Sequence, residues 1–370
     1  MRPLQGIVVL DFSTLLPGPL AALLLAEAGA EVIKVERAGA GDELRLWPPK
    51  LNGEAVNFGL LNRGKGSLAV DLKTLRGRAA LEPYLARADV ILEQFRPGVM
   101  DRMGLGPATL ADRFPGLIYC SITGYGQTGP RAQAAGHDLN YMAETGLLAL
   151  SMGDPAAPTV PPALIADIAG GAYPAVMNIL LALQARHATG RGAHLDISMT
   201  DNLFPLAWWA LGERAATGSG PGNGDRLLTG GTPRYRLYPA RDGRVVAVAA
   251  IEQRFWDNFC ALIGLDPALR DDTRDPAATI AGVARILAGR DGADWAAAFD
   301  GVDCCCNLVE TLDTALASPH FTARGIGSGR TRLPNGAEVP ALPVPLAPVF
   351  REDAARVLAA PAPGSEQAGE

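Results

Sequence analysis

The chain opens with short apolar strands alternating with helices, and few folds other than a parallel α/β sheet accommodate that order. Residues 6–12 (GIVVLDF) read as a strand, 15–19 as a turn, 20–28 as an Ala- and Leu-rich helix and 31–36 (EVIKVE) as a second strand. Together they make a βαβ unit, for which a right-handed parallel crossover is expected. Further strands are expected at 68–72, 90–94, 117–122 and 194–199, and helices at 76–87, 169–186 and 201–212. The turn at 13–19 (STLLPGP) contains neither a dinucleotide fingerprint nor a phosphate loop, which disfavours a nicotinamide-dependent enzyme.

A Gly-rich stretch at 218–231 interrupts the pattern and reads as a mobile linker. Beyond it, 234–238 and 245–249 flank the turn Arg241-Asp242-Gly243-Arg244, a hairpin that opens a smaller domain near Thr232. The expected organisation is α/β: a Rossmann-like large domain over 1–217, the linker at 218–231, a smaller α+β domain over 232–325, and a return segment over 326–370. The Pro- and Ala-rich end of that segment is expected to be disordered beyond about Ala359.

Composition closes off several classes. A chain of 370 residues that is 48% hydrophobic and 19% charged can bury a large core. A net charge of −6 without any basic run argues against nucleic acid as a partner. The first long apolar stretch contains Glu27, unlike a signal peptide, and the helix after Asp167 reads as too short and interrupted to span a bilayer, which points to the cytoplasm. Cys120, Cys260 and the adjacent Cys304, Cys305 and Cys306 have spacings unlike metal ligands or a disulfide framework, so they read as reduced, mostly buried thiols.

Chemistry concentrates between Gly136 and Gly171. His137, one of four histidines, has a side-chain type that titrates at about pH 6.5, which suits proton transfer. Asp167 precedes an apolar helix, Gly170 and Gly171 leave its start open, and the first amides there have no intrahelical partners. Asp167 is therefore either an N-cap or an acid/base group, and His137 either a loop residue or its counterpart. Glu252 is again a carboxylate at a helix start, where it serves as a cap or as a site residue. Ligands of open α/β sheets sit outside the carboxyl ends of strands. Arg37, Arg63 with Lys65, and Arg96 are expected at three such ends, as cations for a phosphorylated ligand or as solvated loop charges.

These segments resemble those of the family III CoA-transferases, and within them the α-methylacyl-CoA racemase branch. The resemblance spans roughly residues 7–325 and is carried by VIKVE at 32–36, LNRGK at 61–65, FRPGVM at 95–100, TGYGQTGP at 123–130, GHDLNY at 136–141, Ala166-Asp167 and AAIE at 249–252. It implies an interlocked homodimer with shared active sites and an acyl-CoA substrate, with no cofactor other than the coenzyme A of that substrate and no metal. Asp167 becomes a nucleophile in the transferases or a proton-transfer base in the racemases, with His137, paired with Glu252, serving the opposite face. Arg37 and Arg96 then contact the nucleotide part of CoA, Tyr141 lies at the substrate, and amides near Ile168 and Ala169 hold the enolate oxygen.

The activity this implies is racemisation of 2-methylacyl-CoA thioesters by two-base proton transfer. CoA transfer with Asp167 as nucleophile and a non-catalytic acyl-CoA-binding relative are the alternatives. Two positions depart from the racemase pattern: Ala163 stands where those proteins usually carry Asn, and Leu308 where their Asp-Ala-Cys-x-x-Pro motif has proline.

Overall fold

The structure, a computed structural model, describes residues 1–154, 156–351 and 356–366. Contacts between Cα atoms divide the chain into two units, one of Met1–Thr145, Pro162–Leu206 and Ser318–Glu370, the other of Gly146–Pro161 and Ala207–Ala317.

In the first unit β1 (Val8–Asp11), β2 (Glu31–Arg37), β3 (Gly66–Val70), β4 (Val90–Glu93), β5 (Ile118–Thr123) and β6 (His194–Ser198) form one parallel sheet in the order β3-β2-β1-β4-β5-β6. This is the doubly wound order, with its topological switch between β1 and β4. Every residue of β1, β4 and β5 is buried, which explains why they are mainly apolar rather than alternating between apolar and polar.

On one face Leu10, Ile33, Ile91 and Tyr119 pack with Leu81 and Leu85 of α3 (Leu75–Leu85). Also in this unit are α1 (Pro17–Glu27), every residue of which is buried, and α2 (Val56–Asn62). The expected start of α1 at Leu20 moves forward to Pro17, because proline in a first turn lacks only an N–H that would have had no partner.

Two further helices of the unit are α4 (Asp138–Glu144) and α5 (Tyr173–Thr189). A π-helical segment, Ala166–Ala172, runs directly into α5. Together they make 24 residues containing an 18-residue window of mean hydropathy 1.4, long and apolar enough by length and composition alone to cross a membrane, which corrects the expectation of a short, interrupted helix. α5 packs against α1 and β5.

β3 begins at Gly66, two residues earlier than its apolar run suggests, so Arg63 and Lys65 lie at its amino end and not at a carboxyl end. Their side chains are committed to the fold. Arg63 pairs with Glu27 at 2.7 Å and donates to the carbonyls of Leu60 and Leu342. Lys65 Nζ donates to Asp11 Oδ2, Asn62 Oδ1 and Pro19 O at 2.9, 2.8 and 3.0 Å. Lys34, fully buried, pairs with Asp42 at 2.9 Å and donates to Ser13 O at 2.7 Å. Burial pushes the Lys65 ammonium down to about 8 against the pull of Asp11. Burial alone would raise the Asp11 carboxyl, but Lys34 and Lys65 beside it leave it lowered.

The first half of the helix expected at 201–212 is a 3-10 turn, Asp201–Ala207, and the second half belongs to α6 (Trp208–Thr217) of the second unit. The expected hairpin is β7 (Tyr235–Pro239) and β8 (Val245–Ala249), and β9 (Cys306–Leu308) joins it antiparallel in the order β7-β8-β9. The Asp242-Gly243 turn needs its glycine, with φ 81°. Trp256 and Phe259 of α7 (Gln253–Ile263), Val283 of α8 (Pro276–Leu287) and Trp295 of α9 (Gly292–Phe299) fill a core with Val246 and Val248. All five cysteines are free, and Cys305 alone is exposed. The Gly-rich stretch at 218–231 is tied within this unit by Asn223, which donates to Gly153 O, and by Arg226 on Glu213.

The return segment adds β10 (Arg330–Arg332), β11 (Glu338–Pro340) and β12 (Leu358–Ala359) to the first unit as a small sheet in the order β11-β10-β12. Disorder beyond Ala359 is not what the structure shows up to Glu366. The amides of Gly364 and Glu366 donate to Ser67 Oγ and Ser67 O at 3.0 and 2.8 Å, covering the edge strand β3. Residues 367–370 lie outside the described residues.

Candidate active site

The carboxyl ends of β1, β4 and β5 open into a cavity of about 460 Å³. Leu15 and Pro17 line it after β1, Gln94 and Arg96 after β4, and Thr123 and Gly124 at the end of β5. His137, Tyr141 and Asp167 complete its wall, so the structure brings four of the expected site residues together at the switch point of the sheet.

His137 is exposed and extended (φ −130°, ψ 174°) at the N-cap of α4, with its N–H donated to Asn140 Oδ1 at 3.0 Å. The next residue, Asp138, is buried, and its Oδ1 accepts the N–H of Asp167 at 2.9 Å. The helix that carries Asp167 is thus capped by Asp138, and Asp167 itself is free of that task. Asp138 is a site residue that the sequence reading passed over. Its only local signal was an acidic residue next to His137 in the first turn of a helix.

Burial pushes the Asp167 carboxyl up to about 6, the negative Asp138 adds to the rise, and His137 opposes it. Burial also raises the Asp138 carboxyl, against the amides it accepts from. Asp167 therefore changes charge close to neutrality, as a general base or acid should.

Tyr141 donates its hydroxyl to Gly136 O at 2.6 Å, and burial pushes the phenol up to about 12. Gly124 and Gly136 make room for its ring, since a Cβ at either would come within 2.6 Å of it. Gln94, also unforeseen, accepts the N–H of Gly18 at 3.0 Å and fixes the start of α1 to the cavity floor. Glu93 accepts the N–H of Phe95 at 2.8 Å, which sets the loop bearing Arg96, and burial pushes its carboxyl up to about 7.

The other candidates are placed differently. Arg37 is exposed and lines a second cavity of about 370 Å³ at the ends of β1, β2 and β3, and Phe95 lines both cavities. The Ile168 amide donates to Leu164 O at 3.1 Å, so it is not available to an oxyanion as expected; Ala169 is half-buried on the π-helical segment. Such segments widen a helix locally and recur at functional sites. Glu252 lies in the second unit at the N-cap of α7, where its carbonyl accepts from Phe255 and Trp256, while its carboxylate makes no capping bond. Among the described residues no cluster of His, Cys, Asp and Glu could hold a metal ion.

The sequence and fold have clear relatives. The human alpha-methylacyl-CoA racemase is 36% identical over 330 residues, 87% of this chain and 81% of that protein. The mouse succinyl-CoA:glutarate CoA-transferase is 37% identical over 282 residues, 74% of this chain and 62% of its own length. The crystal structure of a CaiB/BaiF family protein from Brucella suis superposes with a TM-score of 0.81 at 28% identity, covering 98% of this chain and 97% of that one. The profile of CoA-transferase family III matches residues 4–367, and the chain belongs to that family.

Proposed function

We propose that the protein interconverts the two configurations at C2 of 2-methylacyl-CoA thioesters, by two-base α-proton transfer through an enolate. The observation that carries this reading is Asp167, raised to about 6 in the same cavity that His137 lines. One of the pair removes the α-proton and the other returns a proton to the opposite face. Above about pH 6 Asp167 is ionised and accepts a proton; once protonated, its raised pKa makes it a usable donor near neutrality. Arg96 in this cavity and Arg37 in the one beside it would take the CoA portion. The substrate supplies the only coenzyme required, and the enzyme works as a cytoplasmic homodimer. The exposed apolar residues Tyr173, Met177 and Leu181 on α5 suit such a dimer.

A second reading is supported by the transferase relatives, which are as similar as the racemases. In it Asp167 attacks the thioester and forms a mixed anhydride with loss of CoA thiolate; the thiolate attacks the Asp167 carbonyl, freeing the first acid and leaving an Asp167–CoA thioester, which the second acid attacks to form a new anhydride from which the thiolate takes its acyl group and restores the Asp167 carboxylate, with His137 incidental. Deuterium uptake at C2 of a 2-methylacyl-CoA in heavy water separates the two. Exchange with inversion that falls in His137→Ala and Asp167→Ala supports the racemase. Absence of exchange, with CoA transfer to an added carboxylate that survives His137→Ala, overturns it.

A further inference from the structure

A buried carboxylate lies under the loop that brings Arg96 to the catalytic cavity. Glu93, the last residue of β4, is 4% exposed, and its Oε2 accepts the Phe95 N–H at 2.8 Å. The peptide groups that follow are held in other ways, Arg96 O by the Val99 N–H at 3.1 Å and Pro97 O by Gln133 Nε2 at 3.0 Å. The turn from the strand into Phe95 and Arg96 thus hangs on the Glu93 side chain. Both residues line the catalytic cavity, and Phe95 lines the second cavity as well.

From Glu93 a chain of side chains leads to the edge of the sheet. Ser121 stands beside it in the β4–β5 register and hydrogen-bonds the carboxylate. Ser121 Oγ also lies 3.1 Å from Nε2 of His194 on the edge strand β6, whose ring packs edge-on against Tyr119 at 5.6 Å. A serine hydroxyl has one hydrogen to give. While Glu93 is ionised, that hydrogen points to the carboxylate and His194 Nε2–H donates to Ser121. Once Glu93 is protonated it donates to Ser121, and the hydroxyl turns to His194 Nε2. Reversing the chain satisfies either charge state of the buried carboxyl.

The two states do not hold the loop alike, because a hydrogen bond to an ionised acceptor is the stronger. Burial pushes Glu93 up to about 7; the Ser121 hydroxyl and the Phe95 amide oppose the rise, and Asp101 on the short helix Val99–Arg102 adds to it. Of the other titratable groups around it, Tyr119 and Cys120 on β5 are pushed up by burial and stay neutral, and Asp196 acts on the His194 end of the chain. We propose that Glu93 is a positioning residue for Phe95 and Arg96, and that Ser121 and His194 behind it let its charge tighten or slacken the grip on the CoA portion of the substrate. This rests on the acyl-CoA reading of the cavity and holds for racemase and transferase chemistry alike.

Calorimetric titration with coenzyme A tests it, on wild type, Glu93→Gln and Ser121→Ala over a pH series from about 6 to about 8. Glutamine keeps an acceptor for the Phe95 N–H but never gains the charge, so Glu93→Gln should bind about 5-fold more weakly than wild type at about pH 8 and nearly as well at about pH 6. The ligand's own titration is common to both proteins and cancels in that ratio. Ser121→Ala removes a donor that favours the ionised carboxyl, so its affinity for coenzyme A should weaken at a higher pH than that of wild type. Should Glu93→Gln not fold, Ser121→Ala against wild type decides alone, and an unmoved pH dependence overturns the proposal. Equal affinities of wild type and Glu93→Gln at every pH, or the same loss at every pH, overturn the role of Glu93 and leave the acyl-CoA reading standing. A wild type that does not bind coenzyme A overturns both.

Discussion

Asp138 Oδ1 accepts the backbone N–H of Asp167 at 2.9 Å, so the residue next to one proposed base holds the helix that presents the other. His137 and Asp167 are 30 positions apart in sequence, and this bond ties their two segments together at the cavity. Asp138→Asn keeps an acceptor and removes a negative charge that raises the Asp167 carboxyl. The acid limb of the kcat/KM profile should move below about pH 6, which a pH–rate series with wild type alongside would reveal. An unmoved limb would mean that Asp167 does not set it.

Asp167 itself opposes stability near neutrality. Its folded pKa lies above that of the unfolded chain, so folding is favoured by its protonated form and weakened as pH rises through about 6. Asp167→Asn should therefore be more stable than wild type at pH 7.5, by about 1–3 kcal/mol, with the difference vanishing below about pH 4. Urea melts at the two pH values would show it.

Lys65 sits on Asp11 inside the first unit, and both side chains are fully buried. Lys65→Met leaves Asp11 with Lys34 alone, at 3.8 Å. A loss of about 3–5 kcal/mol is expected on breaking a buried pair, and urea unfolding would measure it.

Glu252 offers the opposite contrast. Its carboxylate makes no capping bond to α7, so Glu252→Gln should change stability by no more than about 0.5 kcal/mol. If it partners His137, α-exchange should fall by about 100-fold while any CoA transfer persists. Equal losses in both activities would speak against that pairing.

The strands of the large sheet were legible because both of their faces are covered, which writes them as mainly apolar runs such as Val8-Val9-Leu10 and Val90-Ile91-Leu92. His137, Asp167, Tyr141 and Arg96, expected at the site from the sequence, share one cavity. Arg63 and Lys65 were misplaced for a physical reason: the carboxylates that hold them, Glu27 and Asp11, lie 36 and 54 positions away, and no local pattern announces such partners. Asp138 was missed on the same ground, since its acceptor role appears only when Asp167 folds back 29 positions later.

The end of the chain is also informative. Ending it at Ala360 removes the two amides that bond to Ser67 and the Pro361 carbonyl that receives Arg45, and should destabilise the protein by about 1–3 kcal/mol in urea melts.

That bond between the tail and Ser67 carries a consequence for synthesis. The first unit draws its large sheet from residues 8–198 and the cover of its edge strand from Gly364 and Glu366. While the ribosome is still adding the second unit, β3 has no tail to pair with, and its backbone groups stay open to any extended chain nearby. The unit that begins to form first stays unsealed until Gly364 and Glu366 emerge, so the nascent protein is most vulnerable to misassociation in that interval.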